Sequence, residues 1–134
     1  MEFVAQPIGI IRSPLKDRSE CPHQGNEGAP EAWVELEPEY TQGLDGFEAG
    51  QEIVILSWMH LADRSVLRVH PRGDQSKPLT GVFRTRSADR PNPIGLHRVT
   101  IVAFEPPSRL LVRPLEAIDK TPVLDIKCVL DDGT

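Results

Sequence analysis

Thirteen prolines punctuate this sequence, and the segments between them are mostly short runs of apolar, often β-branched residues. Proline lacks a backbone donor and clashes with the preceding helical turn, so a chain interrupted this often has little room for long helices. No sustained helical periodicity argues otherwise. The strand-like segments are 8–12, 32–36, 51–59, 65–69, 81–84, 99–104, 109–113 and 123–130, each bounded by Pro, Gly or polar residues. Val-Thr-Ile-Val-Ala-Phe at 99–104 is rich in strand formers. In 123–130, Leu124, Ile126, Cys128 and Leu130 alternate with Asp125 and Lys127, the pattern of a half-buried strand. A single helical turn is expected around 41–47. Many short strands with frequent turn signals predict an all-β barrel or sandwich.

A length of 134 residues fits one domain, which buries about two-thirds of the surface its unfolded chain exposes. Only seven residues are aromatic, so the core is expected to be aliphatic. No apolar run approaches the roughly 20 residues of a membrane helix, and residues 1–6 lack the charged-then-apolar order of a signal peptide. Cys21 and Cys128 are far apart and form no CxxC pair. This argues against a zinc site or a disulfide framework and for a reducing cytoplasm. No membrane and no metal partner is expected.

The formal net charge of −5 argues against indiscriminate nucleic-acid binding, but the charge is unevenly spread. Residues 17–63 hold eleven acids and one base. Residues 64–98 hold eight bases and two acids, a net +6, while the rest of the chain sums to −11. Such asymmetry suits an anionic ligand near the middle of the chain, or a solvated face balanced by the acidic segment across a sheet.

Three loops carry polar groups that chemistry could use. Cys-Pro-His-Gln-Gly at 21–25 sets His23 and Gln24 beside the stiff Pro22, as a ligand grip or an ordinary surface loop. Thr85-Arg-Ser-Ala-Asp-Arg-Pro-Asn-Pro-Ile-Gly places Asn92 between two prolines, with Arg86 and Arg90 supplying planar donor forks. A stiff loop with several polar groups suits substrate binding through Arg90 and Asn92. Glu116 and Asp119 precede the last strand, where they could bind a ribose or amine, or merely build a turn with Thr121. His60 ends the apolar run at 51–59 and could line a pocket mouth. Dinucleotide GxGxxG, P-loop and HExxH signatures are absent.

The run Gly-Val-Phe-Arg-Thr-Arg-Ser-Ala-Asp-Arg-Pro-Asn-Pro-Ile-Gly-Leu at 81–96 resembles the signature of the TsaA/TrmO-like family, in a short form. Ile-Gly-Ile-Ile-Arg-Ser-Pro-Leu-Lys at 8–16 and Asp-Lys-Thr-Pro-Val-Leu-Asp-Ile-Lys at 119–127 are similar to its opening and closing motifs. Characterised members are S-adenosylmethionine-dependent methyltransferases acting on threonylcarbamoyladenosine at position 37 of tRNA. The resemblance implies a single β-barrel domain spanning 1–134, a homodimer, and a cofactor pocket near the subunit interface. It would put S-adenosylmethionine contacts on Pro22, His23, Gln24, His60, Leu61, Arg86, Leu96, Leu115 and Glu116, with Asp119 close by. The family usually has Arg at position 23, Gln at 61 and Gly at 120, where this chain has His, Leu and Lys.

The N6 nitrogen of a carbamoylated adenine is a poor nucleophile, so a base is useful. Asp119 or Glu116 is the expected catalytic base, and Arg86 with Arg90 the expected anchor for a carboxylate or phosphate. The alternatives are methyl transfer to a smaller acceptor, or a non-catalytic barrel that binds S-adenosylmethionine or RNA.

Overall fold

The computed structural model describes residues 1–20 and 29–134. Among these residues eight strands form: β1 (Gly9–Arg12), β2 (Ala32–Leu36), β3 (Glu52–Trp58), β4 (Arg68–Val69), β5 (Thr80–Gly81), β6 (Ile94–Glu105), β7 (Arg109–Arg113) and β8 (Pro122–Cys128). Six of them close an antiparallel barrel in the order β1-β2-β7-β6-β3-β8. Closure comes from β8 returning to β1, where Gly9 lies opposite Val123 and Ile10 opposite Pro122. Full closure leaves the barrel with no unpaired edge. Strands β4 and β5 pair only with each other, outside the barrel.

Alternation builds the interior. Ile11, Val34, Ile53, Ile55, Val112 and Leu110 all point inward and are fully buried. Period-two alternation puts such residues on one face while their neighbours meet solvent. The expected aliphatic core is present, with Tyr40, Phe47 and Phe104 only partly buried against it. The segment Pro38–Leu44 winds into a 3₁₀ helix that starts at its proline and buries Leu44. The helical turn expected at 41–47 therefore begins earlier.

Four strand expectations are corrected. The 99–104 segment belongs to a longer β6 that begins at Ile94. Its first half reads poorly because inward positions carry Gly95 and His97 rather than aliphatic residues. In β8 the pairing slips between Leu56 and Ser57, so Leu124 is an extra residue and Val123 turns inward ahead of Ile126. A bulge of this kind reverses the facing that simple alternation predicts. Residues 81–84 are not a strand: only Thr80–Gly81 pairs, and Val82–Arg84 forms a 3₁₀ turn. Of 65–69, only Arg68–Val69 pairs. Between β3 and β6 the chain thus makes a long excursion, residues 59–93, over one end of the barrel.

Candidate functional site

The excursion and the 116–121 segment enclose a cleft of about 1060 Å³. Met59, Ala62 and Val69 give it apolar wall, while Arg68, Arg84 and Arg86 stand around it. Among the described residues, no group of three His, Cys, Asp or Glu is placed to hold a metal ion. No helix among them is long and apolar enough to cross a membrane.

The loop at 85–93 is held by its own side chains. Arg90 donates through Nε to the Ser87 carbonyl (2.7 Å) and through Nη2 to the carbonyls of Val82 (2.7 Å) and Thr85 (2.6 Å). A planar guanidinium suits three carbonyls converging in one turn. Asp89 accepts from Arg18 Nη2 at 3.0 Å and from the Asp63 N–H at 2.8 Å. Arg64 lies 5.0 Å from the Trp58 ring centre and donates to the Pro91 carbonyl (2.7 Å) and to Asn92 Oδ1 (3.1 Å). Arg90 and Asn92 are therefore engaged within the excursion, and neither lines the cleft. Arg86 does line it, exposed, with no hydrogen bond or ion pair to another described residue.

Segment 115–121 separates the two candidate carboxylates. Leu115 is fully buried in the barrel core. Glu116, next to it, lines the cleft half-buried, with no hydrogen bond from another described residue. Burial pushes its carboxyl up to about 7. Asp119 turns instead toward β1, accepting from the Ser13 N–H at 2.9 Å and pairing with Lys16 Nζ at 3.2 Å. The Ser13 N–H, opposed by partial burial and helped by Lys16, holds its carboxyl below the ordinary value. The Asp119 N–H donates to Leu15 O and the Lys120 N–H to Ile11 O, both at 2.7 Å, which stitches this turn to the opening motif.

His60 and Leu61 lie exposed on the cleft rim, close to where β3 ends. Leu96 points outward from β6, 50% exposed beside Ile94 at 46%, on the outer barrel surface rather than the cleft wall. Pro22, His23 and Gln24 lie outside the described residues. One residue that sequence reasoning missed is His97, 6% exposed at the cleft floor. Its Nε2 and Ser57 Oγ share a buried hydrogen bond of 2.8 Å, and burial lowers its pKa to about 4, keeping the ring neutral. A polar side chain on the inward face of a strand was the available signal. Phe83, also missed, stands on the rim.

A closed barrel whose site is built from loops over one mouth, with a basic rim and an unpartnered carboxylate, is a ligand-binding β-barrel of the loop-site kind. More narrowly, the chain belongs to the tRNA-methyltransferase O N-terminal domain family, whose model matches residues 10–132. A probable S-adenosyl-L-methionine-binding protein of Methanothermobacter thermautotrophicus is 46% identical over 132 residues, covering 98% of this chain and 93% of that protein. The S-adenosyl-L-methionine-binding protein of Archaeoglobus fulgidus is 43% identical over 125 residues, covering 93% and 88%. The crystal structure of TrmO from Pseudomonas aeruginosa superimposes with a TM-score of 0.75 at 31% identity, covering 97% of this chain and 57% of that one. The chain thus spans little more than half of that solved protein.

Proposed function

We propose that the protein transfers a methyl group from S-adenosylmethionine to N6 of threonylcarbamoyladenosine at position 37 of tRNA. The observation that carries this reading is Glu116, an unpartnered half-buried carboxyl on the wall of a cleft bordered by the family-like motifs. The cleft is large enough for the cofactor: about 1060 Å³, just above the roughly 300–1,000 Å³ of most small-molecule sites. The Glu116 carboxylate, when ionised, would attract the cofactor's cationic sulfonium from the cleft wall. When bound, the cofactor supplies an electrophilic methyl group.

The chain's own residues do the rest. Of the two carboxylates, Glu116 is the better base, because its pKa of about 7 matches the working pH. It would take the N6 proton, while Asp119 braces the turn that carries it. Arg86 would pair with the acceptor's carboxylate or a phosphate, and His60 with Leu61 would border the cofactor. Arg90 and Asn92 would serve the substrate indirectly, by fixing the loop that presents Arg86. Ile94 and Leu96 form an exposed apolar pair that a second copy would cover in a homodimer. The whole chain would then act as one unit on tRNA in the cytoplasm.

Calorimetry with S-adenosylmethionine, followed by mass spectrometry of nucleosides from tRNA incubated with protein and cofactor, tests the reading. Methylated threonylcarbamoyladenosine is the expected product. Cofactor binding without that product would sink the acceptor assignment, and transfer to the free nucleoside alone would move it to a small molecule. No heat of cofactor binding would sink the reading as a whole.

A further inference from the structure

Phe83 is 78% exposed, while its neighbour Val82 is fully buried. Phenylalanine ordinarily gains by burial, so a ring held in solvent is informative. This ring is held there. Val82 donates its N–H to the Leu67 carbonyl at 3.0 Å, and its own carbonyl receives the Thr85 N–H, the Thr85 hydroxyl and the Arg90 guanidinium. The 3₁₀ turn Val82–Arg84 is thereby locked at both ends, and Phe83 projects from its middle onto the cleft rim.

Arginines line the same cleft as the ring. Arg84 follows it directly, Arg86 lies three residues on, and Arg68 sits opposite Gly81 in the β4–β5 pair. All three line the same cleft, and none of their guanidiniums makes a hydrogen bond or ion pair with another described residue. An aromatic face wants a flat apolar partner and the guanidiniums want anions. Nucleotides meet both demands together: bases stack on aromatic rings in a sequence-tolerant way while phosphates pair with Arg. Stacking needs an unpaired base, which points to a single-stranded loop rather than a duplex.

We propose that Phe83 is a stacking platform for an unpaired base of an RNA loop, next to the base that enters the cleft, with Arg68, Arg84 and Arg86 taking the flanking phosphates. This rests on the reading of the methyl acceptor as RNA.

The test is fluorescence anisotropy of the full chain with a labelled anticodon stem-loop RNA, at several salt concentrations. Phe83→Ala weakens binding about tenfold or more at fixed salt, the scale of one lost base stack. The slope of log affinity against log salt stays the same, because the ring carries no charge. Arg84→Gln weakens binding and also lowers that slope, by about 0.7 for one lost single-strand phosphate contact. Phe83→Trp retains the affinity, and its added indole emission is quenched on RNA binding. Wild-type RNA affinity in Phe83→Ala overturns the proposal. So does a shift of that variant from dimer to monomer in sedimentation with RNA affinity unchanged, which would assign the ring to a contact between copies. Loss of S-adenosylmethionine affinity alone would assign the ring to the cofactor and equally overturn it. Wild-type protein that binds cofactor but no RNA would remove the RNA acceptor itself, a failure separable from one confined to Phe83.

Discussion

Replacing Glu116 by Gln keeps the side chain's shape and removes its charge, so its effect on stability should depend on pH. In the unfolded chain this carboxyl loses its proton near 4.5, and in the folded protein near 7. Between those values the folded state holds more protons than the unfolded one, so this group makes the wild type less stable as pH rises. For a fully buried group a shift of this size would cost about 3 kcal/mol above pH 7. Glu116 is only half-buried, and solvent screening reduces that to about 1–2 kcal/mol. Buried His97 has the opposite sign: its lowered pKa removes stability as pH falls from about 6.5 to about 4, but equally in both proteins. Urea unfolding at pH 5 and at pH 8.5 therefore isolates Glu116. At pH 5 the two midpoints should nearly coincide, and at pH 8.5 that of Glu116→Gln should be higher by about 0.5–1 M, for slopes of roughly 1–3 kcal/mol/M. Methyl transfer should fall in the same variant, the exchange of activity for stability usual at strained sites. Midpoints that differ by one constant amount at both pH values would refute the burial argument.

Two further substitutions probe the backbone around the site. Lys120 has φ +72°, in the left-handed region that side chains disfavour. Lys120→Gly should stabilise by about 0.5–1 kcal/mol, raising Tm by a few degrees in calorimetry, and an unchanged or lower Tm would contradict the strain. At Gly95 an added Cβ would lie 2.5 Å from Ser57 Oγ and 2.7 Å from His97 Nε2. Gly95→Ala should therefore cost about 1–3 kcal/mol in overpacking, and a wild-type Tm would show the cleft floor to be looser than described.

Strands β2 and β7 were legible to the residue because each is a short alternating run whose inward positions are all aliphatic. The first half of β6 was not, since Gly95 and His97 occupy inward positions for a reason only the tertiary structure supplies: the Ser57–His97 hydrogen bond leaves no space for a side chain at 95. The β8 bulge was equally hidden, because Leu124 extends an alternating pattern that the pairing then breaks. In the site, the stiff loop at 85–93 and the acidic segment at 116–119 could be read from residue types. Which side chains face the cleft could not, because the fate of a guanidinium depends on which carbonyls the fold brings near. Arg90 meets those of Val82, Thr85 and Ser87; Arg86, four residues earlier, meets none.

That division changes the meaning of the basic stretch. Eight bases between 64 and 98 suggest a broad positive field, yet several are spent inside the fold. Arg64 fastens the Pro91–Asn92 bend over Trp58, Arg90 locks the Val82–Arg84 turn, and Arg98 pairs with Glu52 across β3 and β6 at 2.8 Å. The expected balance between acidic and basic segments across a sheet holds for Arg98. It does not describe Arg68, Arg84 and Arg86, which line the same cleft as Phe83 without pairing to an acidic residue. Each internally committed arginine gives up an anion contact and in return fixes the backbone from which an uncommitted one projects. A few guanidiniums on a stiff rim lose little side-chain freedom in binding beyond their own rotamers, because the loop is already ordered. Such a rim can hold an anion in a chain of net charge −5, since its field is local and solvent ions screen the distant carboxylates within about 10 Å at 0.1 M salt.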